Sequence, residues 1–92
     1  MFFIDIPSCP SFMIGDGEGG TEEKISSLLK GKDCVDECRR RRKKNNSING
    51  VTTYKDGRPG CWCESNMNTV SKSRDSIREY QTCSLGKAGW NT

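Results

Sequence analysis

Histidine is missing altogether from this chain. The side chain that most readily exchanges a proton near neutral pH is therefore unavailable as a general base or a metal ligand. Long apolar runs are missing too. No window approaches the ~20 apolar residues that a membrane-spanning helix needs, and only 32% of the residues are hydrophobic. Aromatic residues make up 8% of the chain, too few to interleave with its bases as nucleic-acid binders commonly do. Internal repeats are lacking. Residues 1–7, MFFIDIP, contain an aspartate and have neither a basic start nor a long apolar stretch, so they do not read as a secretory leader. Met1 is expected to be an initiator set on a mature N-terminus.

What the chain has is cysteine. Its 92 residues amount to one domain, expected as a single module over 1–92. So short a chain with so little apolar material builds only a marginal core. Six cysteines stand at 9, 34, 38, 61, 63 and 83. An even count at uneven spacings in a short chain reads as a disulfide framework, and disulfides persist in oxidising compartments, so the protein is expected to be secreted or extracellular. Cys34 and Cys38 also have a spacing that zinc favours. Cys61 and Cys63 are closer than zinc sites usually place them, and no histidine completes a ligand set, so metal is not expected. The net charge of +3 conceals an asymmetry: residues 1–38 hold eight acids and three bases, and residues 39–92 hold four acids and twelve bases. Such polarity steers partners without specifying a fold.

Along the chain, residues 2–6 (FFIDI) look like a first strand. Phe12 to Ile14 form a second apolar run that ends in the glycine-rich turn GDGEGG at 15–20. Residues 21–30 fit a helix, a strand or a loop, and Gly31 is expected to stop whatever forms there. The clearest helix runs from Cys34 to about Lys44. Asp33 is its expected N-cap, with acids at its start and bases at its end to suit the macrodipole, and Asn45 and Asn46 terminate it. INGVTTY at 48–54 is rich in strand formers, KDGRPG at 55–60 is a turn, and Cys61-Trp62-Cys63-Glu64 is the returning strand. Residues 65–76 read as an exposed loop and 77–85 as a closing strand.

The cysteine spacings carry the fold argument. Cys34 and Cys38 share one face of a helix, and Cys61 and Cys63 share one face of a strand. A helix laid across that strand brings the four sulfurs within disulfide reach. Two bonds then staple helix to strand, with Cys34–Cys61 and Cys38–Cys63 the preferred pairing and Cys34–Cys63 with Cys38–Cys61 the alternative. Cys9 and Cys83 remain to tie the terminal regions together. The expected class is α+β: a small disulfide-rich domain with a twisted antiparallel sheet packed on one short helix, about 34–44.

This arrangement resembles the PAN/apple domain family. The helix bearing GKDCVDEC, the strand pattern Asn49-Gly50-Val51-Thr52-Thr53-Tyr54, the cysteine-led strand Gly60-Cys61-Trp62-Cys63-Glu64, and a first and last cysteine all match its layout. The chain departs from the family where a cysteine usually follows the helix, near Ile48, and carries a second cysteine in CWC instead. The resemblance implies an antiparallel sheet cradling one helix and a binding role toward proteins or glycans. The rival is the cysteine-stabilised αβ scaffold of defensins and scorpion-type toxins. It shares the helical and strand cysteine spacings but places no cysteine after the second pair, where this chain has Cys83.

Among single residues, the run Arg39-Arg40-Arg41-Arg42-Lys43-Lys44 is a candidate polyanion site, against the plainer reading of a solubilising helix end. Spread round a helix, Arg41 and Arg42 tend toward the face of Cys38 and snorkel. Trp62, Tyr80 and Trp90 are candidate stacking residues or core packing. Asp16 and Glu18 could offer oxygens to calcium, but no EF-hand pattern surrounds them and a glycine turn is favoured. Asn45-Asn46-Ser47 is an N-glycosylation sequon at Asn45. No catalytic residue, metal or cofactor is assigned. The expected function is noncovalent recognition of an extracellular glycan or protein, with sulfated polysaccharide the preferred polyanion and nucleic acid disfavoured. A defence peptide or toxin, or a structural component of an extracellular matrix, are the alternatives.

Overall fold

The computed structural model describes residues 9–86. The strand expected at 2–6 and Trp90 lie outside the described residues. In chain order the elements are β1 (Met13–Ile14), β2 (Gly17–Glu18), β3 (Thr21–Ser26), α1 (Gly31–Arg42), β4 (Ile48–Tyr54), β5 (Cys61–Ser65), β6 (Thr69–Val70), α2 (Arg74–Glu79) and β7 (Tyr80–Ser84). Five strands make an antiparallel sheet in the order β1-β7-β4-β5-β3, and β2 pairs with β6 as a separate ribbon. α1 packs on β4 and β5. This is the expected disulfide-rich α+β architecture.

Local chemistry explains where the boundaries moved. The ambiguous segment after Gly20 is an edge strand, and Ser26 ends it: its Oγ accepts from the backbone N–H of Leu28 at 2.9 Å and of Leu29 at 3.1 Å. Gly31 starts the helix instead of stopping the segment before it. Its φ of +52 turns the chain out of the extended conformation at Lys30, a backbone state that glycine adopts without the Cβ penalty. Asp33 therefore lies within the first turn and is not the N-cap, and Lys30 caps with no side-chain bond. The acid still faces the positive end of the helix dipole. The segment 65–76 is more than a loop. It supplies β6 and then Ser73, whose Oγ accepts from Ser76 N–H at 3.3 Å and caps the short helix α2. That cap draws residues 74–79 into a helix and delays the closing strand to Tyr80.

The disulfides join Cys34 to Cys61, Cys38 to Cys63 and Cys9 to Cys83, with Cα separations of 5.4, 5.6 and 5.2 Å. All six cysteines are consumed. Their half-cystines form most of the buried cluster beneath α1, which otherwise holds Val35, Ile48 and Val51, with Phe12, Ile25, Leu29 and Leu85 partly buried around it. Three aliphatic side chains cannot hold a domain of this size through apolar burial alone, at ~2–3 kcal/mol each. Crosslinks stand in for the missing bulk. The Cys9–Cys83 bond spans 74 residues, and closing so long a loop removes about 4 kcal/mol of unfolded-chain entropy in the chain-entropy model.

The sheet register sorts side chains onto two faces. Val51 lies opposite both Cys63 and Cys83, and Thr53 opposite Cys61. These residues point to α1. The intervening positions Thr52, Trp62, Thr82 and Lys24 lie side by side across four strands on the outer face.

Two glycines separate a conformational requirement from a packing one. Gly20 has φ +65, and a Cβ there would overlap the backbone oxygen of Ser65; Gly57 has φ +91, and a Cβ there would meet nothing within 4 Å. Gly57→Ala is expected to cost about 1 kcal/mol, and Gly20→Ala at least about 2 kcal/mol more, because backbone must move. Denaturant unfolding with disulfides intact measures both. Equal costs would contradict the close approach at Gly20.

Candidate functional site

Two surfaces are built on this frame, one at the C-terminal end of α1 and one on the outer sheet face. At the helix end, successive residues turn by ~100°, so Arg39, Arg40, Lys43 and Lys44 fall within an arc of roughly 140°. All four are exposed, while Arg41 and Arg42 are half-buried. Arg42 donates to the carbonyl oxygen of Leu85, and Arg41 Nε lies 2.9 Å from Glu37 Oε2. Glu37 also takes both Nε and Nη2 of Arg40, at 3.1 and 2.5 Å. Hydrogen bonds from Arg40 and then Arg41 hold the Glu37 carboxyl down at about 2. Arg39 Nη2 reaches back 3.3 Å to the carbonyl of Cys9. The six cations thus divide into four that face solvent and two that brace the domain.

On the outer face, Tyr54, Trp62 and Tyr80 form a cluster. Tyr54 and Tyr80 are direct cross-strand partners, stacked at 5.4 Å with planes 19° apart. Trp62 meets both edge-on, at 5.3 and 5.6 Å, a geometry the ring quadrupoles favour. Gly60 permits this approach, since a Cβ there would lie 2.7 Å from Tyr54 Cε2 and 3.1 Å from Trp62 Cζ3. The open ring faces carry the protein's own cations. Arg58 sits 4.1 Å from the centroid of Tyr54, and Lys24 sits 5.2 Å from that of Trp62. Arg58 is fixed there by Asp56, at 2.9 Å, and Glu79, at 2.6 Å. Trp62 and Tyr80, read from sequence as possible stacking residues, are therefore gathered together with Tyr54, and rings of Trp62 and Tyr54 are already capped.

Below the aromatics the same face holds the group that sequence reading missed. Glu64 is 1% exposed. The β2–β6 ribbon covers it so closely that a Cβ on Gly17 would lie 2.6 Å from the Glu64 carboxyl carbon. Its Oε2 is 2.8 Å from Thr52 Oγ1; Thr52 Oγ1 is 2.8 Å from Thr82 Oγ1; and Thr82 Oγ1 donates to the carbonyl of Gly15 at 2.8 Å. Asp16 and Glu22 bring their carboxyl oxygens within 4.8 Å of this group and of one another. Asp16, expected beside Glu18 in a glycine turn, thus lies with Glu22 and Glu64. Burial first, then hydrogen bonding to Glu22, pushes Glu64 from an ordinary 4.5 up to about 8, against a smaller opposing effect of Thr52. Burial and the Glu22 charge raise Asp16 to about 6. Of the three, Glu64 is buried under the ribbon, Asp16 is half-buried and Glu22 is exposed.

Comparison with protein-family models, with curated proteins and with solved structures finds no match.

Function must then be argued from these two surfaces. Asn45, the sequon residue, is exposed just past α1, where its Oδ1 accepts from the backbone N–H of Ser47 at 3.2 Å. It borders the four outward cations. Among the described residues, no helix is long and apolar enough to cross a membrane.

The polar run under the ribbon yields a stability prediction. Thr52→Val keeps the shape of the side chain and removes the hydroxyl between Glu64 and Thr82. It leaves two buried polar groups short of a partner and is expected to cost about 2–3 kcal/mol in denaturant unfolding. A loss below about 0.5 kcal/mol would show that the run does not stabilise the face.

Proposed function

We propose that the domain is an extracellular, noncovalent binding module of PAN/apple-like layout, and that it recognises sulfated polysaccharide through the end of α1. The observation that carries this reading is the division of the basic run: Arg39, Arg40, Lys43 and Lys44 face outward on one arc, and Arg41 and Arg42 are drawn back toward Glu37 and Leu85. Three disulfides suit an oxidising compartment. They also hold the helix rigid, so less freedom is lost when an extended polyanion docks. The aromatic cluster is a poorer candidate, because Arg58 and Lys24 already cover ring faces that a sugar would need.

Glu37 is the built-in moderator of this surface. Its carboxylate engages Arg40 on the exposed side and Arg41 on the inner side, lowering the local positive potential. Attraction between such a patch and a polyanion is screened by salt over ~8–10 Å at physiological ionic strength.

Replacing Arg39, Arg40, Lys43 and Lys44 together with glutamine is expected to abolish retention on immobilised heparin while leaving the thermal midpoint within a few degrees of the parent. Glu37→Gln is expected to move elution to higher salt. Parent-like elution of the fourfold variant would exclude the helix end as the contact surface.

A further inference from the structure

The β2–β6 ribbon is held to the sheet by the buried side chains of Val70 and Met67 and by the bonds of Gly15 to Tyr80 and Thr82, and by few bonds of its own. It is a two-stranded ribbon of two residues per strand, a unit that is marginal without packing. Its own cross-links are the register pairs Gly17–Val70 and Glu18–Thr69 and the backbone bonds from Asn68 N to Glu18 O and from Ser71 N to Asp16 O. Its anchor at one end is Asn49, whose amide clamps Met67 by donating to its carbonyl at 2.9 Å and accepting from its N–H at 2.8 Å. Its floor is Glu64.

Counting protons shows what that floor requires. From Glu64 to Gly15 the run has three contacts of 2.8 Å: Glu64 to Thr52, Thr52 to Thr82, and Thr82 to the Gly15 carbonyl. A hydroxyl brings one proton and a carbonyl brings none. The two threonines can therefore fill two of the three contacts. With Glu64 ionised, Thr52 donates to it and Thr82 donates either to Thr52 or to Gly15, so one pair of oxygens 2.8 Å apart is left with no proton between them. A proton on Glu64 completes the run, with Glu64 donating to Thr52, Thr52 to Thr82 and Thr82 to Gly15; the hydrogen bond between Glu64 and Glu22 then calls for a further proton, carried by Glu22.

The groups that face Glu64 point the same way from each element. Glu22 comes from β3 and is hydrogen-bonded to it, and Asp16 comes from the turn before β2. Glu18 of β2 acts on Asp16. β4 and β7 supply only the neutral Thr52 and Thr82. Lys24, the base nearest along β3, lies over Trp62. Among the described residues no base pairs with Glu64, so its ionisation beneath Gly17 adds a buried charge to two neighbouring carboxyls.

We propose that the β2–β6 ribbon is a proton-dependent flap, closed onto the outer sheet face while the Glu64 carboxyl is protonated and released when that carboxyl ionises. The sign follows from linkage. A carboxyl held above its ordinary value contributes stability that is full below about 4.5 and is lost as pH rises through about 8. Asp16, raised from 3.8 to about 6, adds loss in the same direction at lower pH. The ribbon is therefore tightest in mild acid and loosest above pH 8. This inference is independent of the polyanion surface at the far side of the sheet.

The test is amide hydrogen exchange between pH 5 and pH 9, expressed as protection factors so that the intrinsic pH dependence is removed, in the parent and in Glu64→Gln. Glutamine keeps a donor toward Thr52 and does not titrate. In the parent, protection at Asn68 and Ser71 is expected to fall at least about tenfold, the equivalent of one pKa unit of coupling, while that of the α1 amides holds. In Glu64→Gln it is expected to stay level. An equal fall in the variant, or an equal loss across α1, overturns the flap. Should the variant not fold, the carboxyl carbon of Glu64 followed by NMR in the parent decides: a midpoint well above 6 supports the flap, and an ordinary one near 4.5 overturns it.

Discussion

The double crosslink between α1 and β5 is the constraint from which the other features follow. Bonds from Cys34 to Cys61 and from Cys38 to Cys63 fix the parity of β5. With two alternate residues bound to the helix, Trp62 and Glu64 have no choice but the opposite face. The register then sets Thr52 beside Trp62, and Glu22 beside Glu64. A slip of one residue would turn Glu64 into the cysteine layer and break both bridges. The crosslinks also release the sequence from the need for a large apolar core. A chain with so few aliphatic residues in its central cluster can carry a basic helix, a polar sheet face and a buried acid because covalent bonds, and not volume, hold the layers together.

The two faces divide labour by charge. On the helix side the cations converge at one end of α1, with Glu37 as their only carboxylate partner among the described contacts. On the outer side three carboxyls gather with no base bonded to them among the described residues, and Lys24 and Arg58 lie over aromatic rings. The charge on the two faces is thus arranged differently, although Asp33, Asp36 and Glu37 also lie on α1. Its consequences differ. Exposed cations on a rigid helix act on partners. A carboxyl sealed beneath a ribbon, as Glu64 is, acts on the fold itself in the proposed flap.

Much of the fold was legible because the relevant periods are short. Four-residue spacing in α1 and two-residue spacing in β5 are local facts that specify faces, and INGVTTY and the KDGRPG turn read directly as a strand and its return. The half-buried placement of Arg41 and Arg42 follows likewise from their distance to Cys38. The ribbon was not legible. Its register pairs, Glu18 with Thr69 and Gly17 with Val70, are 51 and 53 residues apart, and each strand is too short to show alternation. Ser73 as a cap hid inside a run of polar residues. Glu64 was missed for a related reason. The alternation in Cys61-Trp62-Cys63-Glu64 does place it with Trp62, and threonines on the two neighbouring strands hint at a polar face. Only the covering ribbon buries it, and that cover comes from distant segments that sequence alone reads as a glycine turn and a loop.

The pairing within the four clustered cysteines is where the account is most directly exposed. Non-reducing peptide mapping can resolve it, because cleavage after Glu37 separates Cys34 from Cys38 and cleavage after Trp62 separates Cys61 from Cys63. The account requires Cys34 linked to Cys61 and Cys38 linked to Cys63. Crossed links would reverse the run of α1 over β5, and a bond within either pair would remove the constraint on the parity of β5; either result contradicts it.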